Sequence, residues 1–573
     1  MSEGRIIRVD MTDQSVSIDP FPEEWHLLGG RALSAKILLA ECDATCDPLG
    51  PDNVLVVAPG ALAGTSAPTS GRISIGGKSP LTGGIKEANA GGNPGQDLMK
   101  LGYRAIIVKG QPGDRDKRWA LDVTEEGATL KDATEYKGLW NYALIGELAK
   151  TYSATASFIS IGPAGELELL GASVACTDQE KERHPVRHAG RGGLGAVMGS
   201  KCLKYVSVDA AKKPARAPAD REAFIAATRT TSKAYLEGPR PMQHGTSTSV
   251  GMAQILNTFP YKNRIEGQSP DAETLDGHRI IESFETRGGG MHNYQTGCIV
   301  KCSNVVHDED GNYKTSALEF ETLTLLGSNC GLASWEDVAD LDRLCDDIGL
   351  DTIETGAAIG VYMDSGAMEF GDAEGAKHLM REIAEGSDVG RTIGNGAVAT
   401  GKRQKHHRVP TVRGQAIPAW DPRPLKATGV TYLTSPQGAD HTAGLVVNPG
   451  LAPEDMPAAS RDNQVINAAI DSSGFCMFLM LNLDQVRTLY SAFFGEECTR
   501  KAIFAMGWQC LEDEWEFNRR AGFKREDDVM PDCMMQDAIG PQKVVFDVDP
   551  EIVAKTYEPY EPDEAFWSKG GTG

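Results

Sequence analysis

The chain has 573 residues, with 57 Lys and Arg against 80 Asp and Glu, for a formal net charge of −23. That balance offers no footprint for nucleic acid or anionic lipid, and no run of about 18 apolar residues is present to span a membrane. Twelve cysteines are too few for a disulfide scaffold, and 64 glycines without a collagen period or Ser/Pro monotony do not describe a disordered chain.

Met1 to Val9 holds no apolar stretch of the export-signal kind, so a cytoplasmic enzyme with reduced cysteines is expected. The first 210 residues read as β-rich. Short β-branched runs at Gly4–Asp10, Asn53–Ala58, Arg72–Gly76, Arg104–Lys109, Ser157–Gly162 and Tyr205–Asp209 are punctuated by Gly and Pro. Ala210–Ala219 (AAKKPARAPA) reads as a linker. Beyond it the period lengthens to that of a helix at Asp220–Tyr235, Leu318–Leu326, Trp335–Ile348 and Thr352–Met363. A second polar stretch, Gly401–Arg408, precedes a further helical segment with Asp462–Ala469, Gln485–Phe494 and Leu511–Ala521. The expected class is α+β: a β-rich domain over 1–210, then two mainly helical domains over 211–410 and 411–573.

One internal echo stands out. Asp346-Asp-Ile-Gly-Leu-Asp351 and Asp471-Ser-Ser-Gly-Phe-Cys476 share Asp-x-x-Gly-apolar and lie 125 residues apart. A helix that stops at Gly produces that pattern with no further purpose. As a pair, the motifs fit two carboxylates that each take paired hydrogen bonds from a guanidine-like edge, such as a pterin ring.

Three further features invite chemistry. Gly190-Arg-Gly-Gly-Leu-Gly195 fits G-x-G-x-x-G, but the residues before it are polar and broken by Pro185, so the strand a dinucleotide site needs is expected to be missing. Arg187, His188 and Arg191 flank this loop as candidates to hold phosphate oxygens. A glycine belt places 11 glycines in the 43 residues from Gly60 to Gly102, where backbone amides could approach a large polar ligand closely. Cys298 and Cys302 are either buried thiols or, with the distant Cys476, thiolates of an iron–sulfur cluster. A zinc ribbon would need a second Cys pair.

Taken together, these blocks resemble the tungsten-containing aldehyde ferredoxin oxidoreductase family. The likeness runs through Ala61–Gly95, Ala189–Lys201, Leu318–Leu332, Cys345–Gly356, Pro418–Arg423 and Asp471–Cys476, in order, over essentially the whole chain. The resemblance implies a β-rich base that seats a tungsten or molybdenum ion held by two molybdopterins. It also implies a magnesium ion between their phosphates and a [4Fe–4S] cluster beside one pterin. The implied reaction oxidises an aldehyde to a carboxylate and passes electrons to ferredoxin. A different redox reaction on the same cofactor, such as reduction of an activated acid or aromatic ring, and an electron-relay subunit are the alternatives. The acidic balance points to a dedicated iron–sulfur subunit as electron acceptor, in a homo- or hetero-oligomer.

Residue by residue, the resemblance puts Arg72 between cluster and pterin. Asn89 and His188, whose alignment trades with Ala189, supply backbone carbonyls to magnesium, so the His188 imidazole is not itself needed. Gly91, Gly92 and Arg187 join the cofactor cradle. Asp346 and Asp471 read the two pterin rings, with Gly349, Leu350, Asp351 and Gly474 completing the motifs. Glu321 and His441 are the implied catalytic pair, suited to moving protons for a water that adds to a carbonyl. Helical spacing puts Glu319 and Glu321 on different faces, so one of them, Glu321, is expected to face the site.

The sequence departs from the family at two places. The cluster motif C-x-x-C-x-x-x-C keeps Cys298 and Cys302 but has Gln295 at its first position, with Tyr294 one residue away. His292 stands nearby as a candidate non-thiolate ligand. The readings are a cluster retained on three thiolates, a three-iron or open cluster, and a lost one; retention is favoured because Cys298, Cys302 and Cys476 all survive. Where some members ligate an interface iron with Glu-x-x-His, this chain has Asp340 and Arg343, which puts that metal and that mode of dimerisation in doubt.

Overall fold

The computed structural model describes residues 4–178, 183–238 and 242–571. Two six-stranded sheets occupy the N-terminal third. The first uses β1 (Arg5–Asp10), β2 (Ser15–Pro20), β3 (Leu55–Pro59), β4 (Ile73–Lys78), β5 (Ile85–Ala90) and β6 (Tyr103–Lys109) in the order β2-β1-β6-β3-β4-β5. The second uses β7 (Trp119–Val123), β8 (Ala128–Asp132), β9 (Ser157–Ser160), β10 (Val174–Asp178), β11 (His184–Ala189) and β12 (Leu203–Val208) in the order β11-β10-β9-β12-β7-β8. Read from its other edge, the second order is the first with six added to every strand. The parallel pairs match too, β1 with β6 and β7 with β12. Residues 5–208 therefore fold as two copies of one topology, a repeat that the sequence does not display.

Strand alternation explains how both faces are filled. Ile7, Val9, Leu55, Val57, Ile106 and Val108 of the first sheet share a core with Leu121, Val123, Ile159, Val206 and Val208 of the second. Ile6, Val56, Ala58 and Ile107 point the other way and pack on the helix Gly30–Glu41 and on Val465, Ile466 and Ala469 from the C-terminal segment. The β-rich reading passed over this helix. Its residues 30–35 are buried in succession, so it lacks the one-sided apolar stripe that marks a surface helix.

Every expected strand is present within two or three residues. Among the expected helices, Trp335–Ile348 is found as read, and Arg221–Leu236, Thr352–Asp364 and Leu483–Phe494 shift by a residue or two. Of the other C-terminal two, Asp462–Ala469 is an inner part of the longer helix Met456–Ser473, and Leu511–Ala521 is the second half of Arg500–Arg520 and its C-cap. Leu318–Leu326 is not one helix. It holds a single α-turn at Phe320–Thr322, then a π-helical stretch at Leu323–Gly327, a distortion that often accompanies functional sites. Of the polar stretch at Gly401–Arg408, the first four residues end the helix Gly396–Gln404. The linker 210–219 is a strap: Arg216 donates to Ala61 O at 2.8 Å and Ala63 O at 3.0 Å. No helix among the described residues is long and apolar enough to cross a membrane.

The strand expected to be missing before the glycine loop exists. β11 leads directly into Gly190, and a helix, Leu194–Ser200, follows. Pro185 is tolerated because β11 is the edge of its sheet, where a missing N–H costs no ladder bond. Residues 179–182, part of the polar run read ahead of the loop, lie outside the described residues. β11 pairs antiparallel with β10, so the βαβ unit of a dinucleotide site is still not formed.

The two Asp-x-x-Gly helices dock on the two sheets in the same way. Helix Trp335–Ile348 stops at Gly349 (φ +81°), whose carbonyl takes Ser173 N–H at 2.9 Å beside β10. Helix Met456–Ser473 stops at Gly474 (φ +89°), whose carbonyl takes Arg72 N–H at 3.1 Å beside β4. Both stops need the left-handed conformation that glycine adopts freely. Each helix thus delivers its last-turn aspartate, Asp346 or Asp471, to one half of the repeat.

Candidate active site

A cavity of about 380 Å³ lies where the sheets meet the helical segments. Of the residues singled out from sequence, Arg72, Asn89, His188, Glu321, Asp346 and Leu350 line it, as do Asp351, His441, Asp471, Cys302 and Cys476. Asn89 and His188 are the penultimate residues of β5 and β11, equivalent strands of the repeat. These two edge strands run against each other, which brings both positions to one seam.

On one side, Asp346 Oδ1 lies 3.2 Å from His188 Nε2, while Asp346 Oδ2 is buried with no partner. His188 Nε2 also lies 3.0 Å from Pro185 O, and Nδ1 lies 2.7 Å from Ser173 Oγ. A carbonyl only accepts, so the proton is assigned to Nε2, and Nδ1 accepts from the serine. The imidazole is therefore a structural bridge from β11 to the Asp346 helix. The resemblance asked only for the His188 backbone carbonyl; the structure adds this bridging role for the side chain.

On the other side, Asp471 Oδ2 sits 3.8 Å from Arg31 Nη1. Arg31 is itself clamped by Glu514 through Nε at 2.9 Å and Nη2 at 2.8 Å. Burial, reinforced by Glu87, pushes the Asp471 carboxyl well up against the pull of Arg31 and Arg72. Burial opposes the Arg72 charge as well, but Cys476, Tyr294 and Asp471 hold that guanidinium above its ordinary range. Arg72 donates from Nη2 to Asn89 O at 3.2 Å and from Nε to Asn89 Oδ1.

Both Glu319 and Glu321 face the cavity. The helical-face argument fails because the helix starts only at Phe320. Glu319 precedes it in extended conformation (φ −94°, ψ 170°). Glu319 Oε2 accepts from Thr246 Oγ1, and burial pushes its carboxyl upward. Glu321 Oε2 accepts from Ala419 N at 2.6 Å. In each residue the second oxygen, Oε1, is buried and unpartnered. His441 opens a short turn capped by Asp440, and its Nδ1 is likewise unpartnered. Asp440 is pinned by Lys86 Nζ at 2.5 Å. Lys86 and Arg31 were not singled out from sequence; the signal available was a charged residue inside an otherwise apolar or small-residue block.

Several expected cofactor contacts have other employment. Arg187 spends Nε and Nη2 on Asp178, at 3.0 Å and 2.5 Å, and Nη1 on Ser303 Oγ at 2.8 Å. Arg191 donates to Ala439 O and Ala416 O and faces Asp351 at 3.4 Å. Each guanidinium thus spends part of its five N–H donors on protein acceptors, and Arg191 also lines the cavity. Asp351 caps the helix Thr352–Asp364 by accepting from Ile353 N at 2.9 Å. Most of the glycines serve chain-on-chain packing rather than ligand approach. A Cβ on Gly60 would lie 2.0 Å from Gly474 Cα, and one on Gly92 2.6 Å from Thr177 O. A Cβ on Gly91 would strike the Tyr294 ring at 2.4 Å. That ring lies between Arg187 (Cζ 3.9 Å from its centre) and Arg72 (5.6 Å). Gly190 differs, since it lines the cavity and a Cβ there would meet only Asp351 Oδ1, at 3.9 Å. Ala189 is buried within β11, and Gly349 and Gly474 act as helix stops. Asp340 is engaged by Lys314 and Lys377, and Arg343 lies over Tyr142.

Cys298, Cys302 and Cys476 are all buried. Thr69, which sequence reading overlooked inside the glycine belt, ties them together. Its N–H donates to Gly297 O at 3.0 Å, its carbonyl takes Cys476 N–H at 3.2 Å and its Oγ1 takes Ile299 N–H at 3.2 Å. Burial pushes the Cys302 thiol well up, and Glu319, Cys476 and Cys298 add to it. Burial raises Cys476 too, against Arg72. Among the described residues no three His, Cys, Asp or Glu side chains converge as they would on a single metal ion. His292 lies on the short strand Gly290–His292, outside the cavity lining.

Comparison with known proteins agrees with this architecture. The family model for the N-terminal domain of aldehyde ferredoxin oxidoreductase matches residues 6–210, and the model for domains 2 and 3 matches residues 226–560. A tungsten-containing aldehyde ferredoxin oxidoreductase of Pyrococcus furiosus is 30% identical, over 94% of this chain and 93% of its own. The WOR-like subunit of an aliphatic sulfonate oxidoreductase from the same organism is 27% identical, over 83% of this chain and 79% of its own. A solved active-site complex BamBC of benzoyl-coenzyme A reductase, with 1,5-dienoyl-CoA, shares the fold with a TM-score of 0.79 at 17% identity. That match covers 96% of this chain and 93% of the other.

Proposed function

From the premise that this chain belongs to the aldehyde ferredoxin oxidoreductase family, we propose that it oxidises an aldehyde to a carboxylate at a tungsten or molybdenum bis-pterin centre. The observation that carries this reading is the cavity between two equivalent half-domains, with one last-turn aspartate delivered to each. Two carboxylates suit two guanidine-like pterin edges, and the unpartnered Asp346 Oδ2 is a buried acceptor that such an edge would satisfy. When bound, the metal centre supplies a two-electron acceptor. Asn89 and His188, brought to one seam, would offer backbone carbonyls to a magnesium ion. Cys298, Cys302 and Cys476 would hold the iron–sulfur cluster.

The chain's own residues handle protons. Aldehyde plus water yields carboxylate, two electrons and three protons. Glu321 is held through one oxygen by Ala419 N–H and keeps the other to accept from a water. His441 offers an unpartnered Nδ1 in the same cavity, and the capped turn at Asp440 fixes its backbone. A carboxylate and an imidazole can relay the protons released as water adds. Leu350, Trp420 and Leu445 supply apolar wall for the substrate chain. Electrons would leave to ferredoxin or an iron–sulfur partner subunit.

The second reading, reduction of an activated acid or aromatic ring, is raised by the fold shared with the benzoyl-coenzyme A reductase complex. An anaerobic preparation from a host that makes the cofactor separates them. Tungsten or molybdenum together with aldehyde-dependent viologen reduction supports the first reading. Metal without aldehyde activity, but with dienoyl- or acyl-CoA turnover, supports the second. Absence of both metals sinks each.

A further inference from the structure

Gln295 stands where the family's first cluster cysteine would be, and it is 1% exposed. Its Oε1 and Nε2 are both buried with no hydrogen-bond partner. Burying a polar group without a hydrogen-bond partner is costly, so a buried amide with neither atom satisfied calls for a ligand. The residue also opens a tight turn. Cys298 N–H donates to Gln295 O at 3.1 Å, and Gly297 at the third position has φ +78°, as a type II turn requires. The Cα atoms of residues one and four of such a turn lie within about 7 Å of each other, which brings Gln295 close to Cys298, whose Sγ lies 3.4 Å from Val300 O. Thr69 ties this turn to Cys476, and Cys302 follows four residues after Cys298. Of the other two candidates, Tyr294 lines the cavity with Cys302 and Cys476 and its ring packs against Arg187 and Arg72, and His292 ends a short strand; the test below separates both from Gln295.

We propose that Gln295 Oε1 is the fourth ligand of a four-iron cluster whose other ligands are Cys298, Cys302 and Cys476. The inference rests on the cofactor reading above and goes beyond it. One iron of the cubane is then bound by a neutral oxygen instead of a thiolate. That lowers the ligand charge by one and raises the reduction potential, in the direction seen when imidazole replaces thiolate. It also makes that iron the removable one. On oxidation the four-iron cluster gives a three-iron cluster, one ferrous ion and one electron, which added ferricyanide accepts.

The test uses anaerobic, iron-57-enriched holoenzyme with Mössbauer and EPR readouts. The expected result is about four irons per chain with one distinct from the other three. Ferricyanide then releases about one iron per chain and leaves a three-iron EPR signal. Gln295→Cys should make the four irons alike, suppress that release and lower the cluster potential. Gln295→Leu should leave a three-iron cluster at isolation. The proposal is overturned if the wild-type irons are all alike, if Gln295→Cys leaves spectrum and potential unchanged, or if Tyr294→Phe or His292→Ala removes the distinct iron. Tungsten and pterin without iron would sink this inference and spare the proposed function. Loss of metal, pterin and iron together would sink both.

Discussion

Lys86→Met is the most informative single perturbation outside the cluster. Lys86 Nζ sits 2.5 Å from Asp440 Oδ2, with side chains 0% and 6% exposed. Asp440 Oδ1 caps the next turn through Thr442 N–H at 3.0 Å and Thr442 Oγ1 at 2.8 Å, and His441 is the first residue of that turn. Burial pushes the Asp440 carboxyl up, but Lys86, then Arg191 and His441, outweigh it and hold the group well below the usual carboxylate range. Removing one partner of a buried pair typically costs about 3–5 kcal/mol, because the other charge stays buried. Asp440 is depressed in the folded state, so its contribution is fully present above the unfolded value of about 3.9 and is lost as pH falls through the folded one. In Lys86→Met the destabilisation should be largest near neutrality and shrink in acid, where Asp440 takes up a proton. A chain of this size does not unfold in one step, so hydrogen exchange over residues 436–444 is the local readout, in a cycle of Lys86→Met, Asp440→Asn and the double variant. Asp440→Asn should recover most of the loss. A coupling below about 0.5 kcal/mol would refute the argument.

Glu321→Gln keeps an acceptor for Ala419 N–H but removes the proton-transferring carboxylate. Turnover should fall by about 10²–10⁴ with thermal stability unchanged, and an unaltered rate would remove Glu321 from the mechanism. Gly60→Ala would place a methyl 2.0 Å from Gly474 Cα, where the sheet and the Asp471 helix meet. A loss of about 1–3 kcal/mol or more and reduced cofactor content are expected from calorimetry and metal analysis; a melting temperature equal to wild type would contradict the packing. Glu354 is fully buried, and burial pushes its carboxyl up to about 7 although Ala416 and Ala397 N–H groups oppose the shift. Its folded pKa is raised, so the ionised form is disfavoured and stability should decline as pH rises from about 4.5 through 7. Glu354→Gln should flatten that slope, and an identical slope in both proteins would exclude Glu354 as its source.

Much of the chemistry was readable along the chain because it sits in short local patterns. A helix that ends at a Gly three residues after an Asp is a local event, so Asp346 and Asp471 could be found and placed at helix ends from sequence. The apolar strands, the interrupted cysteine motif and the Glu321 block were legible for the same reason. What failed were inferences about direction. Helical spacing assigned Glu319 to another face, but its extended backbone turns it into the cavity. The glycine belt suggested a ligand cradle, yet most of those positions are vacant of side chain because another backbone or ring lies against them. Arg187 and Arg191 carry the right charge for phosphate, but only the fold shows that part of each donor set goes to Asp178, Ser303, Ala416 and Ala439.

The sequence alone determined many of the elements and which residue types the site contains, since strand alternation, helix stops and capping depend on neighbours a few positions away; the helix Gly30–Glu41 and β11 were not read from it. The tertiary structure alone decided that residues 5–208 are one topology used twice, because topology is conserved by hydrogen-bond order and not by residue identity. That duplication sets Asn89 beside His188 and gives each aspartate its own sheet. The same packing buries Gln295 with neither amide atom satisfied, so the glutamine in the cysteine position becomes a claim about ligation.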